Sequence, residues 1–501
     1  MTNGAARISL VVSACVSTHA LAQSDQWGAG PGGNAARNSV SAVAGPSAPD
    51  LIWDGSTRSD ILETQPFIGE SSDGSFYVVT GRIASFTIPT GSWIVCQDLL
   101  TGDLLWEIQV PFIDRSGDPD FEDEWRGRVI GVRDDRVYVS RAGNTRSAPV
   151  YALDAADGSI IWESDDLITD GSTEGASFAP DGDLIIGSGP GGASNQIPGS
   201  IIRIDADTGA TVWKTDRSCP TSNGCQAAVA NGTVYYYQAG AFGPVITGAD
   251  LATGAELYSS VSGDLEGGLI QQVGPLVSPD GTIYVARGQQ GLPGDLPGTE
   301  FDTFFAVDDT GASLDVRWGI PAGFTPFATF GVASDGSVYA YRTPEDAAGA
   351  LTGDLEVLRL DAATGSILDR SALLPTTMIA PSPRVAIGAD DTVYLSTEEI
   401  LISLTPDLQE NWRIDDWVDL GFPALGGDGV LVVSSGGFDL RAFRSAVCLP
   451  DTNGDGELTP GDFNAWVLAF NDQKPECDQN GDGECNPGDF NAWILNFNAG
   501  C

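Results

Sequence analysis

Residues 149–165, PVYALDAADGSIIWESD, decide the fold, because related stretches recur along most of the chain. Apolar residues alternate before the pair Asp157-Gly158 and continue as Ile160-Ile161 after it, which is the pattern of two β-strands joined by a tight turn. Trp162 ends the second strand. The related stretches, the last of them without a Trp, are residues 93–107, 200–215, 245–259, 303–318, 356–370, 401–413 and 438–444.

A second signal precedes each copy, namely a polar turn followed by an apolar strand that often contains Tyr. The turns begin at Asp73, Asp134, Asp181, Asn231, Asp280, Asp335, Asp390 and Asp428. A further short apolar strand lies upstream of most turns, as in FIGESS and GFPALGG. Hairpins that recur at roughly fifty residues are typical of a β-propeller, since one blade cannot bury its faces alone. The sequence predicts an all-β propeller of eight four-stranded blades, with seven as the alternative because the last two copies are the weakest.

The two ends of the repeat region complement each other. Leu51-Ile52-Trp53 matches the end of a copy without its beginning, and the copy at residues 438–444 lacks that final strand. We therefore expect Leu51-Ile52-Trp53 to form the outer strand of the last blade, which closes the ring and removes an exposed edge. Residues 23–49 are rich in Gly, Ala, Ser and Asn, and predict a flexible lead-in with little structure of its own.

The combination of ALDxxTGxxxW with a preceding DGxVYV resembles the pyrroloquinoline quinone (PQQ)-like propeller repeat over residues 50–446. Tyr258 and Asp369 stand where Trp is expected, and the seventh copy has lost its Thr-Gly pair. The resemblance implies the propeller fold. It also raises the alternative of a quinoprotein-type dehydrogenase with PQQ as cofactor, although the vicinal Cys pair of many such enzymes and any haem motif are absent.

In such a ring, both kinds of tight turn lie on one face and the long connections emerge on the other. The long connections include residues 111–128, 187–199, 289–300 and 343–353. We expect a ligand site on this long-loop face, because rigid scaffolds carry function on loops. The acidic and aromatic loop at residues 111–128 suits a cation or a sugar, or is simply a solvated loop. The Trp side chains are expected to pack between blades, and the turn Asp and Thr-Gly residues to have structural roles.

Residues 1–22 have the pattern of a secretory signal with a cleavage site after Ala20-Leu21-Ala22, so we expect a secreted, extracellular or cell-surface protein. A lipoprotein box with Cys15 lipidated is the alternative. No other stretch is long enough for a transmembrane helix. The formal charge of −45 argues against nucleic acid and anionic membrane as partners.

The only histidine, His19, lies within the predicted signal. A mature chain without imidazole excludes Ser-His-Asp and Cys-His catalysis, His-ligated zinc and CxxCH haem attachment. We therefore lean towards a protein that is not an enzyme.

The C-terminal region, residues 447–501, changes character. DTNGDGELTPGDFNAWVLAFN recurs 27 residues later as DQNGDGECNPGDFNAWILNFN. Oxygen-bearing side chains at loop positions 1, 3, 5, 7, 9 and 12 follow the spacing of an EF-hand calcium loop, with Asp at the last position. The predicted calcium ligands are Asp451, Asn453, Asp455, Glu457, Thr459 and Asp462, and Asp478, Asn480, Asp482, Glu484, Asn486 and Asp489. We expect two calcium ions and a module whose folding depends on them.

Each loop leads into a helical pattern, beginning at Phe463 and at Phe490. Two loop–helix units without entering helices resemble a type I dockerin, and the chain end FNAGC resembles the Gly-Cys-ending variant. The resemblance implies a cohesin-like or surface-anchoring partner. In place of the hydroxyl pair by which dockerins recognise cohesins, this chain has Pro460-Gly461 and Pro487-Gly488.

The cysteines divide into three groups. Cys219 and Cys225 enclose a short loop and are expected to form a local disulfide. The C-terminal cysteines Cys448, Cys477, Cys485 and Cys501 allow three pairings, and the sequence does not choose between them. Cys96 occupies a strand position and is predicted to be a buried free thiol.

These observations favour a secreted, non-catalytic propeller that binds a protein or glycan ligand on its long-loop face and is anchored by a calcium-dependent dockerin. A quinoprotein-type dehydrogenase is one alternative. Participation in polysaccharide degradation, as a glycoside hydrolase-associated protein, is another alternative. It rests on the frequent association of dockerins with glycoside hydrolases.

Overall fold

A computed structural model of the chain describes residues 26–30, 32–55, 61–62, 65–84, 91–111, 126–143, 146–169, 175–189, 199–217, 226–240, 243–265, 274–286, 304–320, 329–342, 344, 354–376, 384–415, 421–435, 439–445, 448–453, 458–480 and 484–499. Residues 1–25 lie outside this set, so the secretory signal and the alternative lipidation of Cys15 stay predictions.

The described strands form eight antiparallel four-stranded blades, which confirms the predicted fold and the count of eight. Blades 1 to 4 consist of Phe67–Glu70, Phe76–Ile83, Ser92–Asp98 and Leu104–Ile108; Arg128–Arg133, Arg136–Ser140, Val150–Asp154 and Ile160–Glu163; Ser177–Phe178, Leu184–Ser188, Gly199–Ile204 and Thr211–Arg217; and Ala228–Ala230, Thr233–Gly240, Gly243–Asp250 and Glu256–Ser259. Blade 1 gains Ile61–Leu62 as an extra strand, and Ser147–Ala148 pairs separately with Ile168–Thr169.

The second half of the ring repeats this plan. Blades 5 to 8 consist of Leu276–Val277, Ile283–Ala286, Phe304–Asp309 and Leu314–Ile320; Gly331–Val332, Val338–Arg342, Glu356–Leu360 and Ile367–Arg370; Val385–Ile387, Val393–Ser396, Ile400–Leu404 and Glu410–Asp415; and Ala424–Gly426, Val430–Ser435, Asp439–Phe443 and Leu51–Asp54. The last strand comes from the start of the chain, with Leu51 opposite Phe443 and Trp53 opposite Ala442. The predicted closure of the ring is therefore confirmed.

Every outer strand contains a β-bulge directly before its Trp position. The ladder register shifts there in all eight blades. The bulge residues are Ile52, Leu105, Ile161, Val212, Leu257, Arg317, Leu368 and Asn411. Because a bulge bends a strand and re-aims the next side chain, it turns each Trp towards the neighbouring blade and breaks the regular outer edge.

The Trp side chains join the blades, as predicted. Trp106 Nε1 donates to the Ala155 carbonyl in the turn between strands three and four of the next blade, at 2.6 Å. The same bond is made by Trp53 to Leu99, Trp162 to Ala206, Trp213 to Leu251 and Trp318 to Ala362. Gly158 in this turn has φ 74°, and a Cβ there would lie 2.8 Å from the Trp106 ring. The glycine of this turn thus serves both the turn and the indole packed on it.

The lead-in at residues 23–49 differs from its prediction. Residues 26–30 and 32–46, named here the axial segment, contain no helix or strand of their own, yet most of them are buried inside the ring. Trp27 is 3% exposed and Ser39 is fully buried. The small side chains that predicted flexibility allow the backbone to approach the inner strands closely, since a Cβ on Gly28 would lie 2.3 Å from the Val132 carbonyl oxygen.

The axial segment bonds to the first strand, or the residue before it, of all eight blades. Backbone hydrogen bonds join Trp27 to Ile68, Gly28 to Val132, Gly30 to Ala176, Ala35 to Val229, Ala36 to Val277, Asn38 to Val332 and Ser39 to Ile387. Ser41 Oγ completes the circuit by donating to the Leu425 carbonyl of blade 8 at 2.9 Å. The segment therefore makes one turn around the inside of the ring and satisfies backbone groups that the innermost strands expose.

The C-terminal region forms the two predicted helices, Pro460–Asp472 and Pro487–Ala499, with a short 3-10 helix at Pro475–Cys477. Their aromatic residues pack together, with Phe463 and Trp493 ring centroids 5.2 Å apart. Among the described residues, no helix has the length and apolarity that crossing a membrane requires.

Candidate functional site

The long-loop face is the predicted location of a ligand site. Most of its long loops, at residues 112–125, 190–198, 287–303 and 345–353, lie outside the described residues, and so does the acidic cluster of residues 114–124. The strand ends that support these loops are described, and they carry several arginine side chains.

One arginine group lies where the first strands of blades 7, 8 and 1 begin. The Arg384 guanidinium is 4.5 Å from the Phe422 ring centroid, and its Nη1 donates to Gln65 Oε1 at 3.1 Å. The first strands end at the turns of the other face, so their beginnings mark the long-loop end of the central channel. A guanidinium stacked on an aromatic ring retains edge donors that can contact a polar or anionic ligand.

A second arginine enters the channel from the axial segment. Arg37 donates to Gln226 Oε1, which also accepts from the Gly274 amide at 3.1 Å. Arg37 is 2% exposed and has φ 60°, a conformation that costs free energy in a residue other than glycine. Sequence reasoning missed this residue, because nothing in a Gly- and Ala-rich leader marks it as buried.

The axial segment also lines a cavity of about 260 Å³ together with Val132, Arg133, Phe178 and Val229. The Arg133 guanidinium is committed to Asp134 and to the carbonyls of Ala179 and Pro180. Asn34 Nδ2 donates to Asn38 Oδ1 at 2.7 Å and to the Val40 carbonyl. Asn34 Oδ1 is buried without a hydrogen-bond partner among the described residues, so the cavity offers an acceptor to ordered water.

The two C-terminal loops repeat one geometry. Asp462, at position 12 of the first loop, is fully buried and accepts from the amides of Asn453 at 3.3 Å and Thr459 at 2.7 Å. Burial opposes its ionisation, but the amide hydrogen bonds hold the pKa of Asp462 below its usual value. This carboxylate therefore joins positions 3 and 9, and closes the loop on itself.

Asp489 does the same in the second loop. It is fully buried and accepts from Asn480 at 3.2 Å and from Asn486 at 2.8 Å. The helices also exchange contacts, since Trp466 Nε1 donates to the Cys477 carbonyl and Trp493 Nε1 to the Pro450 carbonyl. Cys477 and Pro450 each directly precede a loop, so each helix holds the start of the other loop.

The predicted calcium ligands are only partly described. Asp451, Asn453, Thr459, Asp462, Asp478, Asn480, Glu484, Asn486 and Asp489 are described, whereas Asp455, Glu457 and Asp482 are not. Within the described part of the chain, no three His, Cys, Asp or Glu side chains converge on a metal position. The two calcium ions therefore stay a prediction.

The cysteines follow the predictions where they are described. Cys477 and Cys485 form a disulfide, which selects one of the pairs that the sequence left open, and Cys448 is also disulfide-bonded. Cys219, Cys225 and Cys501 lie outside the described residues. Cys96 is free and fully buried, and burial raises the pKa of its thiol, so it is not a nucleophile.

Comparisons with known proteins agree with this architecture. The quinohemoprotein alcohol dehydrogenase from Comamonas testosteroni is 15% identical with a TM-score of 0.50, over 84% of this chain and 80% of that chain. The alcohol dehydrogenase ADHIIG from Pseudomonas putida HK5 is 13% identical with a TM-score of 0.51, over 85% and 81%. The Dos1 propeller is 11% identical with a TM-score of 0.52, over 80% and 99%. Identities this low show a shared fold alone.

No curated protein matches the chain significantly. The family model described as outer membrane protein assembly factor BamB matches residues 90–367, which is more than half of the chain and includes blades 2 to 5 entirely. The chain belongs to this family of PQQ-like β-propellers.

Proposed function

We propose that the chain is an extracytoplasmic binding propeller without catalytic activity, which presents its long-loop face to a ligand or protein partner. Its C-terminal module, residues 447–501, is a calcium-dependent dockerin-like unit that attaches the propeller to the cell surface or to an extracellular assembly.

The observation that carries the proposal is the duplicated C-terminal geometry. Asp462 and Asp489 occupy the same loop position, are both fully buried and both bond to the amides at positions 3 and 9. A carboxylate held in this way by the loop backbone is pre-oriented, which favours a bound cation over a disordered loop. The reciprocal Trp466 and Trp493 contacts support one unit built from two equivalent halves.

The axial segment supports the choice of face. The segment follows the inside of the ring and ends beside the turns of blades 7 and 8. There the Ala389 amide donates to the Val43 carbonyl. The end of the axial segment thus occupies part of the turn side of the ring. This favours the long-loop face for a ligand, where Arg384 and Gln65 meet at the starts of first strands.

A quinoprotein-type dehydrogenase is the second candidate, because two quinohemoprotein alcohol dehydrogenases share the fold. The described residues, however, bring no three acidic, His or Cys side chains together for an accompanying metal. They do not show a fit for PQQ as cofactor, and we derive no reaction step through it.

The proposal is tested by following the full-length protein in cell fractions. We expect it to be cell-associated and to be released by a calcium chelator. The paired variant Asp451→Asn with Asp478→Asn is expected in the medium, whereas the surface variant Asp407→Asn, in a propeller turn, is expected to stay attached. Attachment that is insensitive to both the chelator and the loop variant would refute the anchoring role.

A further inference from the structure

The outer part of blade 6 carries a cluster in which two arginines share one acid. Arg342 Nη2 lies 2.8 Å and Arg370 Nη1 lies 2.9 Å from the same oxygen, Oε2 of Glu356. Arg342 ends the second strand, Glu356 begins the third and Arg370 ends the fourth, so all three lie at the long-loop end of the blade. Arg342 is the register partner of Glu356, and Arg370 that of Leu358, which places the three side chains on one face of the sheet.

This arrangement contrasts with the other ion pairs among the described residues. Arg203 contacts both Asp181 and Asp183, and Arg359 contacts both Asp335 and Asp369. Arg413 likewise lies near Glu410 and Asp415. The blade 6 cluster instead has two cations to one acid, although the whole chain has a formal charge of −45.

The surplus charge is accessible to a ligand. The side chains of Arg342 and Arg370 are 40% and 42% exposed, whereas that of Glu356 is 10% exposed. The single carboxylate therefore lies behind the two guanidinium groups and orders them, while their outer donors face solvent. One nitrogen of each guanidinium group contacts the same oxygen. Such a pair suits an oxyanion with several oxygens, because each guanidinium can donate two parallel hydrogen bonds.

We propose that Arg342 and Arg370 bind an oxyanionic group, a carboxylate or a sulfate, carried by the ligand of the long-loop face. This inference rests on the proposed binding role and gives that ligand a negative charge. The acidic surface repels anions at long range, but salt at physiological strength screens charges beyond about 8 Å and leaves the contact at the arginine pair intact. The site thus selects a locally charged group, while the net charge disfavours a highly charged polyanion.

The test is a calorimetric titration of the calcium-loaded, full-length protein with citrate and, separately, with sulfate. Chloride at the same ionic strength is the reference, and the difference between citrate and sulfate indicates which oxyanion geometry fits. We expect Arg342→Gln and Arg370→Gln each to weaken binding about tenfold or more, as for the loss of a charged hydrogen-bonding group. The matched control Arg413→Gln, which removes an equally exposed arginine with two acidic neighbours, should leave binding unchanged.

A change at Glu356 separates a binding role from a purely structural one. Glu356→Gln removes the shared acid, so the proposal predicts tighter binding of citrate or sulfate and a rise in melting temperature on adding the anion. A structural triad predicts lower stability with no response to anions. Phenylglyoxal modification mapped by mass spectrometry should show anion protection of Arg342 and Arg370 and none of Arg413.

Absence of anion binding, or equal binding in the arginine variants and wild type, would overturn the assignment. Neither outcome affects calcium-dependent attachment, which is read out separately. Failure of the anion site is therefore distinguishable from failure of the proposed calcium-dependent anchoring.

Discussion

The indole Nε1 of Trp412 donates a hydrogen bond of 3.0 Å to the carbonyl oxygen of Pro46, across 366 residues of sequence. In blades 1, 2, 3, 5 and 8 the acceptor is a carbonyl in the turn that joins strands three and four of the next blade. Blade 8 lacks this turn, because its fourth strand comes from the start of the chain. Pro46, at the end of the axial segment, takes the place of the missing turn, so the segment that bonds to the inside of the ring also completes the contact between blades 7 and 8.

The first prediction concerns this contact. Trp412→Phe removes the donor to Pro46 and part of a ring that is 8% exposed. Tyr394 Oη still donates to the Pro46 carbonyl at 3.2 Å, so the expected loss in free energy of unfolding is about 1–2 kcal/mol. Urea unfolding followed by circular dichroism measures it. The neighbouring exposed variant Asn411→Ser should change stability by no more than about 0.5 kcal/mol.

The second prediction concerns the axial segment as a unit. Trp27→Ala empties a buried site, for which the expected cost is about 3–5 kcal/mol. If the segment is held cooperatively, hydrogen exchange should become faster at the amides of Ile68, Val132, Val229 and Val277, each of which donates to a carbonyl of this segment. The exposed outer-strand variant Leu51→Ala should leave these amides protected. A change confined to Ile68 would show that the segment opens piece by piece.

The third prediction is a pH dependence at the contact between blades 4 and 5. Burial and a hydrogen bond to Asp309 raise the pKa of Tyr258 from 10.0 to about 12. The folded state favours the neutral phenol, so this contribution to stability is complete below pH 10.0 and is lost as the pH rises towards about 12.

Tyr258→Phe removes this titration and the 2.7 Å bond to Asp309 Oδ1. The variant should be less stable than wild type near neutral pH, and the difference in urea midpoint should narrow through the alkaline window. Parallel midpoint curves for the two proteins would rule out a linked ionisation of Tyr258. Most buried tyrosines are unchanged between the two proteins, so the comparison reports on Tyr258 together with Tyr235, which donates to the same Asp309 carboxylate at 2.6 Å.

Much of the propeller could be predicted from the sequence, because its repeat signals are local. The turn residues, the strand patterns and the unmatched Leu51-Ile52-Trp53 suffice to predict blades and closure. The bulges could not be predicted, because an inserted residue such as Leu105 or Ile161 continues the apolar pattern of its strand. The bulge nevertheless directs the side chains of Trp106 and Trp162 towards the next blade, where they form their hydrogen bonds.

The axial segment shows why composition misled. Glycine and alanine usually indicate a segment that cannot bury enough apolar surface to order itself. Here the burial is supplied by the ring, and small residues are required where backbones meet, as at Gly175, where a Cβ would lie 2.5 Å from the Gly30 Cα. Arg37 and the cluster of Arg342, Glu356 and Arg370 depend on the same long-range geometry and could not be found from local pattern.

The predicted calcium loops are the reverse case, because the spacing of their expected ligands is a local signal. The calcium ions stay a prediction, and the structure adds that Asp462 and Asp489 tie each loop to itself while Trp466 and Trp493 tie each helix to the other loop. This reciprocal packing predicts that the two loops bind metal in a coupled manner.

Calcium binding by the C-terminal module is best measured by calorimetric titration of calcium into chelator-treated, full-length protein. We expect two calcium ions per chain, loss of both in the paired variant Asp451→Asn with Asp478→Asn, and no loss in the propeller-turn variant Asp407→Asn. Absence of calcium binding would refute the proposed calcium-dependent module. So would binding that survives intact in the paired loop variant, since the metal would then belong to the propeller and not to the C-terminal module.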